Sequence, residues 1–186
     1  MSKYVNLDRG QFRDYFQPSR LVLLLVKCPN TSGVNIITIA FNMYCSYCPA
    51  MFAFAVEKKS YTSSLLTVGD DCTLCIPSKE MVKETIYCGT HSGLFVDKAN
   101  ELDIKLVNRE NHSVPYIDGC VAFMELTVDN VVPSGDHYII ISKVKKFCSS
   151  NDSEKGGGLL SIGSNVKGYN LLAEHDIHRI AIIDSE

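Results

Sequence analysis

Residues 117–147 read IDGCVAFMELTVDNVVPSGDHYIIISKVKKF, and this stretch decides the fold class. Apolar side chains alternate along Ile117–Val132, which predicts a strand with one face turned to a core. Pro133–Asp136 has the composition of a tight turn, and Tyr138–Phe147 is a second apolar run. The stretch therefore predicts a long β-hairpin. One face of its first strand would carry Cys120, Ala122, Met124, Leu126 and Val128, and the other face Phe123, Glu125 and Thr127.

Outward from this hairpin, the chain alternates between short apolar runs and polar connections. Only three short helices are predicted, beginning near Ser60, Ser78 and Asp97, where small polar residues precede apolar ones. We therefore expect a mainly β fold, an antiparallel barrel or sandwich with a few short connecting helices. The further predicted strands are Leu21–Lys27, Val34–Phe41, Met51–Val56, Cys72–Ile76 and Ile104–Val107.

Composition favours a single globular domain. The chain has 186 residues, of which 46% are hydrophobic and 21% charged, which is ordinary for a folded protein. Residues 149–158, SSNDSEKGGG, predict a flexible loop. We expect residues 1–148 to form the domain and residues 159–186 to complete it after that loop.

Charge and hydropathy narrow the classes of function. The formal net charge is −3, so no basic excess is available to neutralise nucleic-acid phosphates, and we expect no nucleic-acid partner. The longest early apolar run, Leu21–Val26, is too short to cross a bilayer, and no secretory signal precedes it. We therefore expect a cytoplasmic protein without a membrane partner, with its eight cysteines mostly reduced and buried.

A phosphate site is predicted after the strand Met51–Val56. There the run Ser60-Tyr61-Thr62 begins a helix, and Lys58 and Lys59 precede it. A helix start with hydroxyls and lysines beside it can hold a phosphate monoester. The same residues have a simpler use, in which Ser60 or Thr62 only caps the helix.

Two C-x-x-C pairs, Cys45–Cys48 and Cys72–Cys75, keep a zinc site open as an alternative. The second pair lies in an apolar strand, where residues at i and i+3 point to opposite faces. A thioredoxin-like redox pair at the first lacks the surrounding βαβ unit. His175 and His178 lack a third ligand nearby in the sequence. We assign no metal ligands.

Together, these stretches resemble the flavin reductase-like family of FMN-binding split barrels, over residues 18–172. The resemblance implies a Greek-key split β-barrel. No motif is specific alone, and the order and spacing of the series carry the resemblance. The matching motifs are Asn35-x-x-Thr38-x-Ala40, Ser46 followed by Pro49, Tyr61-Thr62, Ser92-Gly93 with Asp97-Lys98, Gly135-Asp136-His137, and the segment from Leu159-Leu160 to Tyr169.

The resemblance also implies a site. Its cofactor-binding residues would be Asn35, Ile36, Ile37, Thr38 and Ala40, then Cys45 and Ser46, for the ring and ribityl chain, and Lys58, Ser60, Tyr61 and Thr62 for the phosphate. Lys98 would lie near the ring face, and His137 near the ring or an incoming nicotinamide. Asn35 and Thr38 have opposite parity, so a regular strand cannot point both side chains at one ligand without a bulge or contacts through backbone.

The function that this resemblance implies is reduction of FMN by NAD(P)H, with hydride transfer to flavin N5, in a homodimer. An electron-carrier flavoprotein reduced by a partner protein is the alternative within the family. A zinc-stabilised binding module built on the two C-x-x-C pairs is the alternative of another class.

Overall fold

The fold is taken from a computed structural model that describes residues 5–8, 13–29, 33–151, 157–163, 166–175 and 178–183. Most of the predicted 149–158 loop lies outside these residues. The described strands are β1 (Ser19–Arg20), β2 (Val22–Cys28), β3 (Gly33–Ile39), β4 (Asn42–Tyr47), β5 (Ala50–Glu57), β6 (Asp71–Ile76), β7 (Leu106–Arg109), β8 (His112–Ile117), β9 (Ala122–Ser134), β10 (His137–Ser149), β11 (Leu160–Ile162), β12 (Tyr169–His175) and β13 (His178–Ile183). The helices are α1 (Val82–Thr90) and α2 (Lys98–Glu101), with 3₁₀ turns at Tyr61–Leu65 and Lys79–Met81.

A seven-stranded antiparallel sheet in the order β3-β2-β6-β9-β10-β5-β4 dominates the molecule. The predicted hairpin is its centre, with β9 and β10 in register from Ser134↔His137 to Ala122↔Ser149. Two register shifts interrupt this pairing, and such bulges increase the local bend of a strand. The sheet curls strongly, since β3 and β5, its first and sixth strands, line one cavity. The expected mainly β architecture is confirmed.

Each face of the sheet buries its own core. The inner core holds Leu24, Phe54, Leu126 and other apolar side chains from six of the seven strands. The outer core packs β2 and β3 against α1, α2 and the β7–β8 hairpin. Cys72 belongs to the inner core and Cys75 to the outer one, as their i and i+3 spacing in a strand predicts.

A second sheet, in the order β1-β11-β13-β12, lies beside α1. A third core joins the two layers through Leu21, Ile86 and Ile180, which pack together with Leu159. The described part of the chain contains no helix that is long and apolar enough to cross a membrane.

Several local predictions need correction. Cys120 packs in the outer core, opposite to Leu126, because β9 begins only at Ala122 and Cys120 lies in the preceding turn. The predicted helix at Ser60 is only a five-residue 3₁₀ turn, so its dipole is small. Ser78 makes no side-chain cap. Strand β4 was not predicted, because its apolar residues are mostly exposed and do not alternate with polar ones.

Asp71 ties four strands together at one end of the sheet. Its carboxylate accepts hydrogen bonds from Lys145 Nζ and Thr127 Oγ1, both at 2.8 Å, and from Ser113 Oγ at 3.1 Å. His112 Nδ1 lies 3.6 Å away. Burial opposes ionisation of this carboxyl, but these hydrogen bonds and the nearby positive charge outweigh it and lower its pKa to about 2.

Asp71→Asn should lower the free energy of unfolding at neutral pH by about 1–2 kcal/mol, since the charge-assisted hydrogen bonds lose their ionised acceptor. A depressed pKa stabilises the fold above the unfolded value of 3.8, and this contribution fades as pH falls toward about 2. Urea unfolding at neutral pH and near pH 2 measures both effects.

The matched control is Asp118→Asn, which removes an ion pair with Lys105 at an exposed position. Exposed pairs contribute little, so this variant should unfold within about 0.5 kcal/mol of the parent. An Asp71→Asn deficit that stays the same near pH 2 would contradict this account.

Candidate functional site

The main cavity lies where the curled sheet brings the ends of β3 and β5 together. Its volume is about 430 Å³, within the range of about 300–1,000 Å³ that is common for small-molecule sites. The 3₁₀ turn 61–65 forms one end, and residues 88–93, from the end of α1 onward, form another wall. The cavity is therefore built from three stretches of chain, residues 37–41, 55–62 and 88–93, together with Lys98 and His137.

One end of the cavity carries hydroxyls and an ammonium. Ser60, Thr62 and Lys59 all line it. Ser60 Oγ accepts the backbone N–H of Ser63 at 3.3 Å, so the Ser60 hydroxyl proton stays available to a ligand. Lys58, the neighbouring lysine, lies outside the lining and donates from Nζ to the Gly135 carbonyl at 2.6 Å. Lys59 is thus the lysine placed to meet an anion.

Asn35 fixes the direction of the Thr62 hydroxyl. Its Nδ2 donates to Thr62 Oγ1 at 2.8 Å, and both side chains are buried. Since Thr62 Oγ1 accepts this bond, its own proton can be donated into the cavity that Thr62 lines. Asn35 Oδ1 is buried without a hydrogen-bond partner among the described residues. It faces Gly93, where a Cβ, if one were added, would lie 1.9 Å from this oxygen.

The outer edge of β3 forms the long wall of the cavity. Within the described sheet β3 pairs only with β2, and their register has no shift. The backbone groups of alternate residues therefore point away from β2. Ile36 demonstrates this, because its carbonyl accepts from Lys98 Nζ at 2.7 Å. By the same alternation, the N–H and C=O of Thr38 point outward, so this edge can meet a ligand through backbone.

Hydrogen bonds with α1 and α2 fasten part of this edge. Thr38 Oγ1 donates to the Thr85 carbonyl at 2.6 Å. Lys98 Nζ donates both to Ile36 O and, at 3.0 Å, to Cys88 O near the end of α1. Burial lowers the pKa of the Lys98 ammonium and raises the pKa of the Cys88 thiol to about 11. One of the three N–H bonds of Lys98 remains for a ligand.

His137 and Phe41 stand together at the cavity mouth. Their rings are 5.7 Å apart between centroids, and His137 Nδ1 lies 2.7 Å from Asp136 Oδ1. The side chain of His137 is 27% exposed, so a ligand in the cavity can reach it. The Asp136 carboxylate fixes the proton on Nδ1 and leaves Nε2 as the second polar atom of the ring.

The cavity brings together eight of the thirteen site residues that the sequence predicts. Three of the other five lie close behind it, namely Asn35, Ile36 and Lys58. Cys45 and Ser46 lie at the far end of the β4–β5 hairpin, since Ser46 pairs with Met51 whereas the cavity touches β5 only at residues 55–57. The eight lining residues are Ile37, Thr38, Ala40, Ser60, Tyr61, Thr62, Lys98 and His137.

Residues 89–91 line the cavity without having been predicted as site residues. They line it because the end of α1 packs against β3, and no short sequence motif indicates that contact. His91 stacks on Tyr87 with ring centroids 3.8 Å apart, and its Nδ1 lies 3.0 Å from Thr90 Oγ1. Gly89 packs close to Thr38, with 3.3 Å available for a Cβ. Small residues at this point let the helix end lie directly on the strand edge.

The cysteine pairs form no metal site within the described residues. Cys72 and Cys75 are buried in different cores, and burial raises the pKa of Cys72 to about 12. Cys45 and Cys48 are exposed. No disulfide joins them.

Comparison with known proteins identifies the family. The model of the flavin reductase like domain matches residues 19–169, so the chain belongs to that family. The fold is similar to flavoredoxin from Methanosarcina acetivorans, at a TM-score of 0.78 and 18% identity over 100% of this chain and 94% of that one. The FMN-binding protein from Thermus thermophilus is similar at a TM-score of 0.76 and 19% identity, over 100% of this chain and 99% of that one. NADH:FAD oxidoreductase from Streptomyces globisporus is similar at a TM-score of 0.71 and 21% identity, over 86% of this chain and 93% of that one.

The predicted split β-barrel is thereby confirmed. The similarities to solved structures lie below 25% identity and establish the fold, whereas the family model covers most of the chain. The matched range includes all thirteen predicted site residues.

Gly93→Ala tests the packing that orients Asn35. The added Cβ would overlap the Asn35 oxygen, so Asn35 or residues 92–93 must move, at a cost of about 1–3 kcal/mol in the free energy of unfolding. Gly157→Ala is the control, since a Cβ there meets nothing within 4 Å, and it should be neutral or slightly stabilising. Chemical denaturation measures both, and equal stability of the two variants would contradict the packing argument.

Proposed function

We propose that the chain is a flavoprotein that binds FMN in the main cavity and reduces it with NAD(P)H. The carrying observation is the arrangement of donors, with hydroxyls and an ammonium at one end and the unpaired edge of β3 along the wall. The Thermus thermophilus neighbour is described as an FMN-binding protein, and membership of the flavin reductase like family supports the same cofactor.

The polar end suits the phosphate of FMN. Lys59 supplies a positive charge, and Ser60 and Thr62 supply hydroxyl protons. Hydrogen bonds from such donors to an ionised phosphate are stronger than neutral ones. Asn35 acts through Thr62, because it holds the Thr62 oxygen as an acceptor and so directs the hydroxyl proton toward the ligand.

The middle and mouth of the cavity suit the ring system. Backbone N–H and C=O groups at the outer edge of β3 can pair with the polar edge of a flat heterocycle, while Ile37 and Ala40 contact its apolar part. The remaining N–H of Lys98 and the imidazole of His137 are the side-chain donors within reach of this region. These contacts set the orientation of the ring within the cavity.

The hydride chemistry belongs to the cofactor. Bound FMN supplies a hydride acceptor at N5, and the protein contributes position and electrostatics. His137 and Phe41 stand at the solvent side of the cavity, where a nicotinamide would enter. The Streptomyces globisporus neighbour is described as an NADH:FAD oxidoreductase, which supports a nicotinamide as the electron donor.

Lys59→Met should weaken FMN binding by about 1–3 kcal/mol, because a charge-assisted hydrogen bond to the phosphate is lost. Thr62→Val should have an effect of similar size. Lys58→Met is the matched control, since Lys58 is held by the Gly135 carbonyl outside the cavity, and it should bind FMN nearly as the parent does. Fluorescence titration of FMN measures the three variants, and equal losses at Lys58 and Lys59 would overturn this assignment of the phosphate end.

Anaerobic stopped-flow mixing with NADH and NADPH tests the donor. The FMN-loaded protein should lose its flavin absorbance with at least one of the two nucleotides. Flavin that stays oxidised with both, yet is reduced by dithionite, would reject the reductase proposal and favour the electron-carrier alternative. A protein that takes up no FMN would reject both.

The electron-carrier alternative has one specific observation in its favour. An apolar rim adjoins the cavity: Phe41 lines it and is 56% exposed, and Leu94 and Phe95, which follow the lining residue Gly93 in the chain, are 57% and 82% exposed. Such a rim suits a protein surface better than a small nucleotide. The same rim is the face that a second copy of the chain would cover in the homodimer that we also propose.

A further inference from the structure

A second, smaller cavity lies on the other side of the wall that bounds the main one. Its volume is about 140 Å³. Thr38, Ala40, Gly89 and Thr90 line both cavities. The hydrogen bond from Thr38 Oγ1 to Thr85 O, at 2.6 Å, lies within this shared wall. The far side of the smaller cavity is formed by the second sheet, which the main cavity does not touch.

Two histidines line this cavity because of the register of the second sheet. His175 and His178 are directly paired across the β12–β13 hairpin, and paired residues project on the same face of a sheet. Ile180 follows His178 by two residues and lines the same cavity. The cross-strand pair Glu174↔Arg179 therefore projects from the opposite face. Among the residues that the structure describes, no aspartate or glutamate lines the cavity.

The hydroxyls that α1 contributes already donate hydrogen bonds to backbone carbonyls. Thr85 Oγ1 donates to the Met81 carbonyl at 2.7 Å, and Thr90 Oγ1 donates to the Ile86 carbonyl at 2.9 Å. On the second sheet, the side chains of Ser161 and His178 make no hydrogen bond with any residue in the described part of the chain. These two groups can therefore donate to a ligand, and they stand on the same wall.

Apart from His175, the remainder of the lining is apolar. Leu21, Ile86 and Ile180 form its floor and belong to the third core. A dry cavity of roughly 150 Å³ lined by such side chains accommodates a single benzene ring. The volume, the apolar floor and the two donors suit one kind of ligand. Its six-membered ring would lie against the floor, and an acceptor oxygen would face Ser161 and His178.

We propose that this cavity is a binding site for a single-ring aromatic carboxylate, with the ring on Leu21, Ile86 and Ile180 and the carboxylate held by Ser161 and His178. The site is separate from the FMN cavity, and its assignment does not depend on flavin binding.

Benzoate is the probe, titrated into the purified full-length protein while the imidazole proton resonances are followed by NMR. Saturable binding in the millimolar range is expected, with a shift of the His178 resonance, assigned through its loss in His178→Leu. His178→Leu should weaken binding about tenfold, and Ser161→Ala, which barely perturbs the fold, by several-fold. Glu174→Gln, on the opposite face of the same hairpin, is the matched control and should leave the affinity unchanged.

Acetate and benzyl alcohol separate the contributions of the ring and the carboxylate, and each should bind more weakly than benzoate. The titration is repeated with saturating FMN, which should leave benzoate bound. Displacement of benzoate by FMN would place it in the main cavity and overturn the proposal. Equal affinity in the parent, His178→Leu and Ser161→Ala would also overturn it, and that result does not bear on whether FMN binds.

Discussion

The unpaired outer edge of β3 is the constraint on which the rest of the site depends. A strand edge carries backbone donors and acceptors that need partners. In β3, only part of the edge has such partners within the described part of the protein. Lys98 satisfies the Ile36 carbonyl, and the side chain of Thr38 fastens α1 alongside. The stretch beyond is left open toward a cavity. The ligand that we propose would complete the edge, so the same backbone that ends the sheet becomes the recognition surface.

The central hairpin and most of the seven-stranded sheet were predictable from the sequence, because their strands are buried and their apolar residues repeat strongly. The exposed strand β4 was not, since an edge strand with mostly exposed residues carries no burial pattern. The second sheet was missed for a related reason. Its strands β11 and β12 are short or largely exposed, and the pairing of β11 with β1 joins residues far apart in the chain.

Predicted site residues that share one local stretch lie together at the cavity, whereas choices that depend on tertiary contacts could not be made from the sequence. Nothing local distinguishes Lys58 from Lys59, yet the Gly135 carbonyl holds one of them outside the cavity. The opposite parity of Asn35 and Thr38 did have consequences. With no bulge in β3, the two side chains reach different partners, Thr62 and the Thr85 carbonyl, and the strand meets the cavity through its backbone.

The buried thiols have a consequence for chemical durability. The flavin site that we propose would work beside oxidants, and thiolates are the form of cysteine that oxidants attack. Cys88 lines the main cavity, but with its pKa raised to about 11 by burial it stays protonated near neutrality. Cys72, with a pKa of about 12, is more inert still. Oxidative damage would therefore begin at the exposed Cys45 and Cys48, at the far end of the β4–β5 hairpin, and leave the cavity wall intact.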